Sequence, residues 1–165
     1  RSVRCRRHTW VMRDERLEAA YRATRYVATR PARDGGSESV CIRIGMPCAA
    51  LDVWLDDAQV AEWAFVTACN PRSRVLSPEE NRVRMAALVV DLGVIGWPLV
   101  HGLGEPEAAE ASQANWTAEP SVLVLGLSRA VALELAERYE QNAFVYGRRG
   151  GLAELVWTSH HDGLM

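Results

Sequence analysis

Asn70, Arg72, Arg74, Asn81 and Arg84 crowd into one short segment. Such a set can hold an anion. The planar forks of arginine match phosphate or carboxylate oxygens, and side-chain amides add neutral donors. The segment follows the apolar run Trp63-Ala64-Phe65-Val66 and leads into Ser77-Pro78-Glu79-Glu80, the signature of a helix start. Unpaired N–H groups and the helix dipole favour negative charge there. The competing reading is an ordinary strand–turn–helix with arginines paired to Glu79 or Glu80, acids that already complement the dipole. Asn81 and Arg84 are three residues apart and share a helix face. Asparagine forms helix interiors poorly, so Asn81 serves either a ligand or a hydrogen bond to the loop before it.

Further along, Glu119-Pro120-Ser121 and Gln141-Asn142 each stand just before an apolar run. Polar residues at such boundaries commonly satisfy free backbone groups. Glu119 is the one carboxylate whose apolar neighbours make it a candidate acid or base, and Gln141 and Asn142 are candidate ligand contacts. Cys69 would need a histidine base within hydrogen-bond reach to act as a nucleophile. His101 falls in register with Trp97, Leu99 and Leu103, the pattern of a packed side chain. His160, His161 and Asp162 have a metal-binding composition but sit in an expected tail without fixed geometry. No CxxC pair, HExxH, GxGxxG, GxSxG or Walker sequence occurs, so no metal site is expected and no cofactor is identified. Gly147-Arg148-Arg149-Gly150-Gly151 reads as an exposed hairpin turn rather than a nucleic-acid element.

These groups need a scaffold. Residues 13–23 carry Leu17, Ala20, Tyr21 and Thr24 on one helical face. An extended segment at 25–30, a Pro/Gly-rich turn, and alternation through Val40, Ile42 and Ile44 predict a hairpin. Pro47 suits the first turn of a short helix through Leu51, Trp54 and Leu55. The run 63–68 has no alternation, as expected of a central strand buried on both faces. Ser77 as N-cap, Pro78 at N1 and Glu80 as capping-box partner start a helix expected to stop at Gly93. Strand-like 95–103 contains Pro98, which argues for an edge, and 104–117 reads as an acidic loop. A strand at 121–125, a helix capped by Ser128, and strands at 143–146 and 152–157 complete the order. Helices with adjacent strand pairs predict a single α+β domain, a mixed sheet with three to four helices packed on it. The expected domain spans 12–157, with 1–11 an extension ahead of Met12 and 158–165 a frayed tail.

Composition narrows the setting. The chain has 165 residues, 48% hydrophobic and 24% charged, the profile of one globular domain. All 19 basic residues are arginine, which excludes lysine-dependent chemistry and suggests a GC-rich bacterial source. The basic charge concentrates in residues 1–33, and the remainder is net acidic, so nucleic acid is not the expected partner. Four cysteines without a disulfide-like framework and no apolar run of about 20 residues point to a cytoplasmic protein with no membrane partner.

Five blocks in order resemble a known family: AYRATRYV (Ala20–Val27), WAFVTACNPRS (Trp63–Ser73), EENRVR (Glu79–Arg84), EPSVLVLGLSRAVALELAERYEQNAFVYG (Glu119–Gly147) and ELV (Glu154–Val156). The chain is similar to a small bacterial family known only as domain of unknown function 3293. The resemblance implies a compact stand-alone bacterial domain and brings no activity with it. It places motif positions at Thr67, Asn70, Pro71, Asn81, Arg84, Glu119, Ser121, Gln141 and Asn142. Cys69 departs from it, standing where a bulkier aromatic residue is expected. The expectation is a small anionic ligand, nucleotide or phosphate-bearing, held by Asn70, Arg72, Asn81, Arg84, Gln141 and Asn142, with no reaction assigned. The alternative is a non-catalytic protein-interaction module whose polar residues only lock loops.

Overall fold

A computed structural model describes residues 15–107 and 118–158. Helix α1 occupies 15–22. It is followed by β1 (Arg25–Pro31), β2 (Ser37–Ile42), α2 (Ala49–Ala58) and β3 (Glu62–Val66). A short 3-10 turn at Pro71–Ser73 leads to α3 (Pro78–Ile95) and β4 (Leu99–Glu105). The chain closes with β5 (Glu119–Leu125), α4 (Arg129–Arg138), β6 (Ala143–Arg148) and β7 (Glu154–Trp157). The seven strands form one sheet in the order β2-β1-β4-β5-β3-β6-β7. This is the α+β domain expected, with four helices among the described residues. The sheet, however, is antiparallel rather than mixed, because β1–β2, β4–β5 and β6–β7 pair as hairpins and the longer connections also return antiparallel. Among the described residues every strand pairing is antiparallel; a parallel contact occurs as the isolated bridge Ile44–Ala153.

Sequence explains most of the placement. β3 is apolar at successive positions because both its faces are covered. Trp63 and Phe65 enter one core with Ile42, Leu51 and Leu55 from β2 and α2. Ala64 and Val66 enter the other with Leu88 and Leu92 of α3 and Leu135 of α4. Each fully buried leucine contributes about 1.5–3 kcal/mol of transfer free energy. Ser77 caps α3 by accepting from the Glu80 amide at 3.1 Å, and Ser128 does the same for Val131 at 3.2 Å.

Two expectations about single elements also need correction. α3 does not end at Gly93; it runs to Ile95 and ends on Gly96, whose φ of 90° is the left-handed cap that glycine adopts without cost. Nor is β4 an edge: it lies between β1 and β5. Pro98 precedes the strand, so no ladder N–H is lost, and its carbonyl accepts from Leu125 N at 3.0 Å.

The sheet curls until its two margins meet. Just beyond β2, Ile44 bridges Ala153 and Pro47 bridges Leu152, immediately before β7. Tyr21 of α1 meets Trp157 of β7 edge-on, with ring centroids 5.7 Å apart. The concave side thus holds the first core, with α2 at one end of the strands. Thr158, the first residue of the expected tail, is fully buried and bonds the Gln141 and Asn142 carbonyls. Residues 159–165, with His160, His161 and Asp162, lie outside the described residues, as do the expected extension 1–11 and 108–117 of the acidic loop. No helix among the described residues is long and apolar enough to cross a membrane.

Candidate functional site

Antiparallel register sets the site. Val66 pairs with Val122, Phe65 with Val145, and Gly104 with both Glu119 and Tyr26. The C-terminal ends of β3 and β4 therefore lie beside the N-terminal ends of β1, β5 and β6. Residues remote in sequence surround a cavity of about 150 Å³ at this end. Tyr26, Phe65 and Val145 form its apolar floor, and Asn70, Glu119 and Gln141 stand among its polar lining. Room for the Phe65 ring depends on Gly102, where a Cβ would come within 2.7 Å of it.

Asn70 organises the rim. Its backbone is left-handed, φ 48°, a conformation asparagine tolerates better than most side chains. Its Nδ2 donates to Glu119 Oε2 at 3.0 Å, while its Oδ1 accepts from Leu76 N at 3.0 Å and Asn81 Nδ2 at 2.9 Å. Asn81 returns the bond, accepting from Asn70 N at 2.9 Å. The two amides lock the loop to α3. Arg72 and Ser73 are also left-handed, at φ 51° and 60°, and Arg72 N donates to the Glu140 carbonyl at 2.7 Å. Left-handed non-glycine residues cost free energy and persist where surrounding bonds over-determine them.

Burial pushes the Glu119 carboxyl above its ordinary value, against the opposing pull of the Asn70 amide and the Thr67 hydroxyl. Burial likewise lifts the Cys69 thiol to about 11, and its sulfur lies 3.6 Å from the Pro120 carbonyl. A thiol so held is protonated at neutral pH and is a poor nucleophile. Tyr21 and Tyr26 are raised too, chiefly by burial.

The expected site residues fall into two groups. Asn70, Gln141 and Asn142 line the cavity together with Glu119. Arg72, Asn81 and Arg84 stand behind it. Arg84 donates to the Ala68 and Tyr139 carbonyls and lies 3.8 Å from Glu140; Arg72 reaches the same carboxylate at 4.0 Å. His101 is exposed on β4. Among the described residues no group of three His, Cys, Asp or Glu side chains is placed to hold a metal. Tyr21, Tyr26 and Phe65 also line the cavity, and nothing in their spacing along the chain joins them to Gln141.

Residues 66–144 match the model of the family described as Protein of unknown function (DUF3293). The matched segment carries Asn70, Glu119, Gln141 and Asn142 of the cavity's polar rim, and its family is the one that the sequence blocks resemble. No curated protein and no solved structure matches the chain.

Proposed function

We propose that this domain binds a small ligand in the strand-end cavity. Convergence carries the reading: Asn70, Glu119 and the pair Gln141-Asn142 come from three separate stretches of chain and line one concavity with aromatic side chains. A few polar groups set in an apolar pocket are the usual make-up of a small-molecule site. A buried carboxyl that keeps its proton to higher pH can also donate a hydrogen bond or a proton to a bound molecule, so Glu119 remains the candidate acid or base. The nucleotide or phosphate form of the expectation relies on Arg72 and Arg84. Both guanidinium groups face Glu140, so an anion there competes with a carboxylate already in place. The setting we propose is bacterial and cytoplasmic, supported by the arginine-only basic composition and by free thiols at Cys41, Cys48 and Cys69.

The alternative, a protein-interaction module with structural polar residues, draws support from Asn81 and Arg84, whose bonds tie loops together. A cavity-filling variant separates the two. At Gly104 a Cβ meets Thr24, Glu119 and Tyr26 no closer than 3.8 Å, so Gly104→Val fits the strand while its methyl groups occupy the cavity. A thermal-shift screen of a metabolite library is run on the wild type and this variant. A ligand at 100 times its Kd adds about 2.7 kcal/mol, or roughly 5–11 °C for a domain of this size. Shifts lost in Gly104→Val support the cavity. Shifts retained in full by the variant refute it.

A further inference from the structure

Most donors around the cavity are already used inward, and the acceptors are left over. Gln141 is only 7% exposed. Its Nε2 donates to the Cys69 carbonyl at 2.9 Å and the Tyr139 carbonyl at 3.2 Å. Two carbonyls on that side fix the amide orientation, because the reversed amide would set oxygen against oxygen. Gln141 Oε1 then has no donor among the described residues, a costly state for a buried acceptor. Asn142 repeats the pattern: its Nδ2 donates to Ser73 Oγ at 2.9 Å, and its Oδ1 has no donor among the described residues. Glu119 is held on one oxygen by Asn70. Among the described residues, no arginine or histidine lines the cavity.

We infer that the ligand presents N–H donors on an apolar body, as a protonated amine or amidine does, with Gln141 Oε1 and the Glu119 carboxylate receiving them. The inference rests on the proposed ligand-binding role of the cavity and specifies its chemistry. An anion entering here would shed its water beside a carboxyl and an orphaned carbonyl oxygen with no cation to meet it. A cation meets charge-assisted acceptors. Tyr21, Tyr26 and Phe65 also line the cavity; aromatic quadrupoles attract cations, and the area of the rings covers an apolar body. Burial that raises the Glu119 carboxyl has the same consequence, because an entering cation adds a charged partner to an ionised form that has only the neutral donors of Asn70 and Thr67.

Four probes sharing one ring test this on the full chain by calorimetric titration: benzylammonium, benzamidinium, benzoate and phenyl phosphate. The proteins are the wild type, Glu119→Gln and Gly104→Val. The two cations are expected to bind the wild type and to lose affinity in Gly104→Val. In Glu119→Gln their Kd should rise about tenfold or more, the scale of a lost charge-assisted bond, without a fall in the melting temperature of the free protein. Tighter binding of the anions, abolished by Gly104→Val, overturns the inference and leaves the cavity's ligand-binding role standing. Cation affinity unchanged in Glu119→Gln also overturns it. So does silence from all four probes, in which case the ligand-binding role is judged separately by the library screen.

Discussion

The two ends of the curled sheet use polar groups in opposite ways. At the end near α2, charges pair in solvent. Arg149 meets Asp56 at 2.7 Å, and Arg30 meets Asp57 at 3.3 Å while lying 4.3 Å over the Trp54 ring. At the cavity end exposed pairs such as Arg25–Glu105 at 3.0 Å also occur, but the lining adds half-buried and buried amides and one carboxyl, with Asn70 tied to Glu119, Leu76 and Asn81. Exposed ion pairs contribute little, because water and salt screen them. Buried networks carry high stakes, since each lost partner leaves an unsatisfied group. The α2 end closes the fold cheaply, whereas the cavity end holds free energy in an arrangement with unfilled acceptors. That asymmetry is the physical basis for placing a site at one end and not the other.

Thiol chemistry should break the comparison most sharply if it is wrong. Cys69 is 1% exposed with its thiol pushed up to about 11, whereas Cys41 is exposed. At pH 8 iodoacetamide should label Cys41 at least ~100-fold faster than Cys69, since only about one Cys69 thiol in a thousand is ionised and access is closed. Peptide mapping by mass spectrometry reads both rates, and comparable labelling would mean the Cys69 thiol is neither buried nor held protonated. Next in size is Asn70→Ala, which deletes the bonds to Glu119, Leu76 and Asn81. Urea denaturation should show a loss of about 3 kcal/mol, from unsatisfied buried groups and a left-handed alanine.

Glu119→Gln should act in the other direction. The folded carboxyl binds its proton more tightly than the unfolded one, so wild-type stability falls as pH rises above the ordinary value of 4.5 towards the raised folded value. The variant lacks this penalty. It should be the more stable protein at pH 7, and its advantage should shrink as the pH falls and vanish well below 4.5, where both states of the wild type are protonated. A denaturation series across that range decides it. The smallest effect belongs to the α2 end: Asp56→Ala should cost under about 1 kcal/mol and lose even that in high salt. A cost near that of Asn70→Ala would erase the distinction between the ends.

Much of this architecture was legible in the residues because it depends on local chemistry. Ser77 and Ser128 announce helix starts, the unbroken apolar run of β3 announces burial on both faces, and the turns at 31–37 and 147–151 announce hairpins. Gly93 misled because a helix interior open to solvent tolerates glycine; nothing lies within 4 Å of the position its Cβ would take. Pro98 misled because its residue type cannot show whether the strand begins before or after it. At the site, Asn70, Glu119, Gln141 and Asn142 were legible as polar residues at strand boundaries. Tyr21 and Tyr26 were not, since only the curl of the sheet brings them to the same cavity. The directions taken by Arg72 and Arg84 were equally hidden, for they follow the turn at Glu140, whose φ is 57°.

A single titration tests the central claim most directly. Benzylammonium is added to the isotopically labelled full chain, and the Gln141 and Asn142 side-chain amides and the Gly104 and Gly150 backbone amides are followed together by NMR. The account predicts saturable shifts at Gln141, Asn142 and Gly104, with Gly150, bonded to Asp52 at the α2 end, unmoved. Shifts confined to Gly150 and its neighbours, or no saturable shift at the cavity, would contradict it.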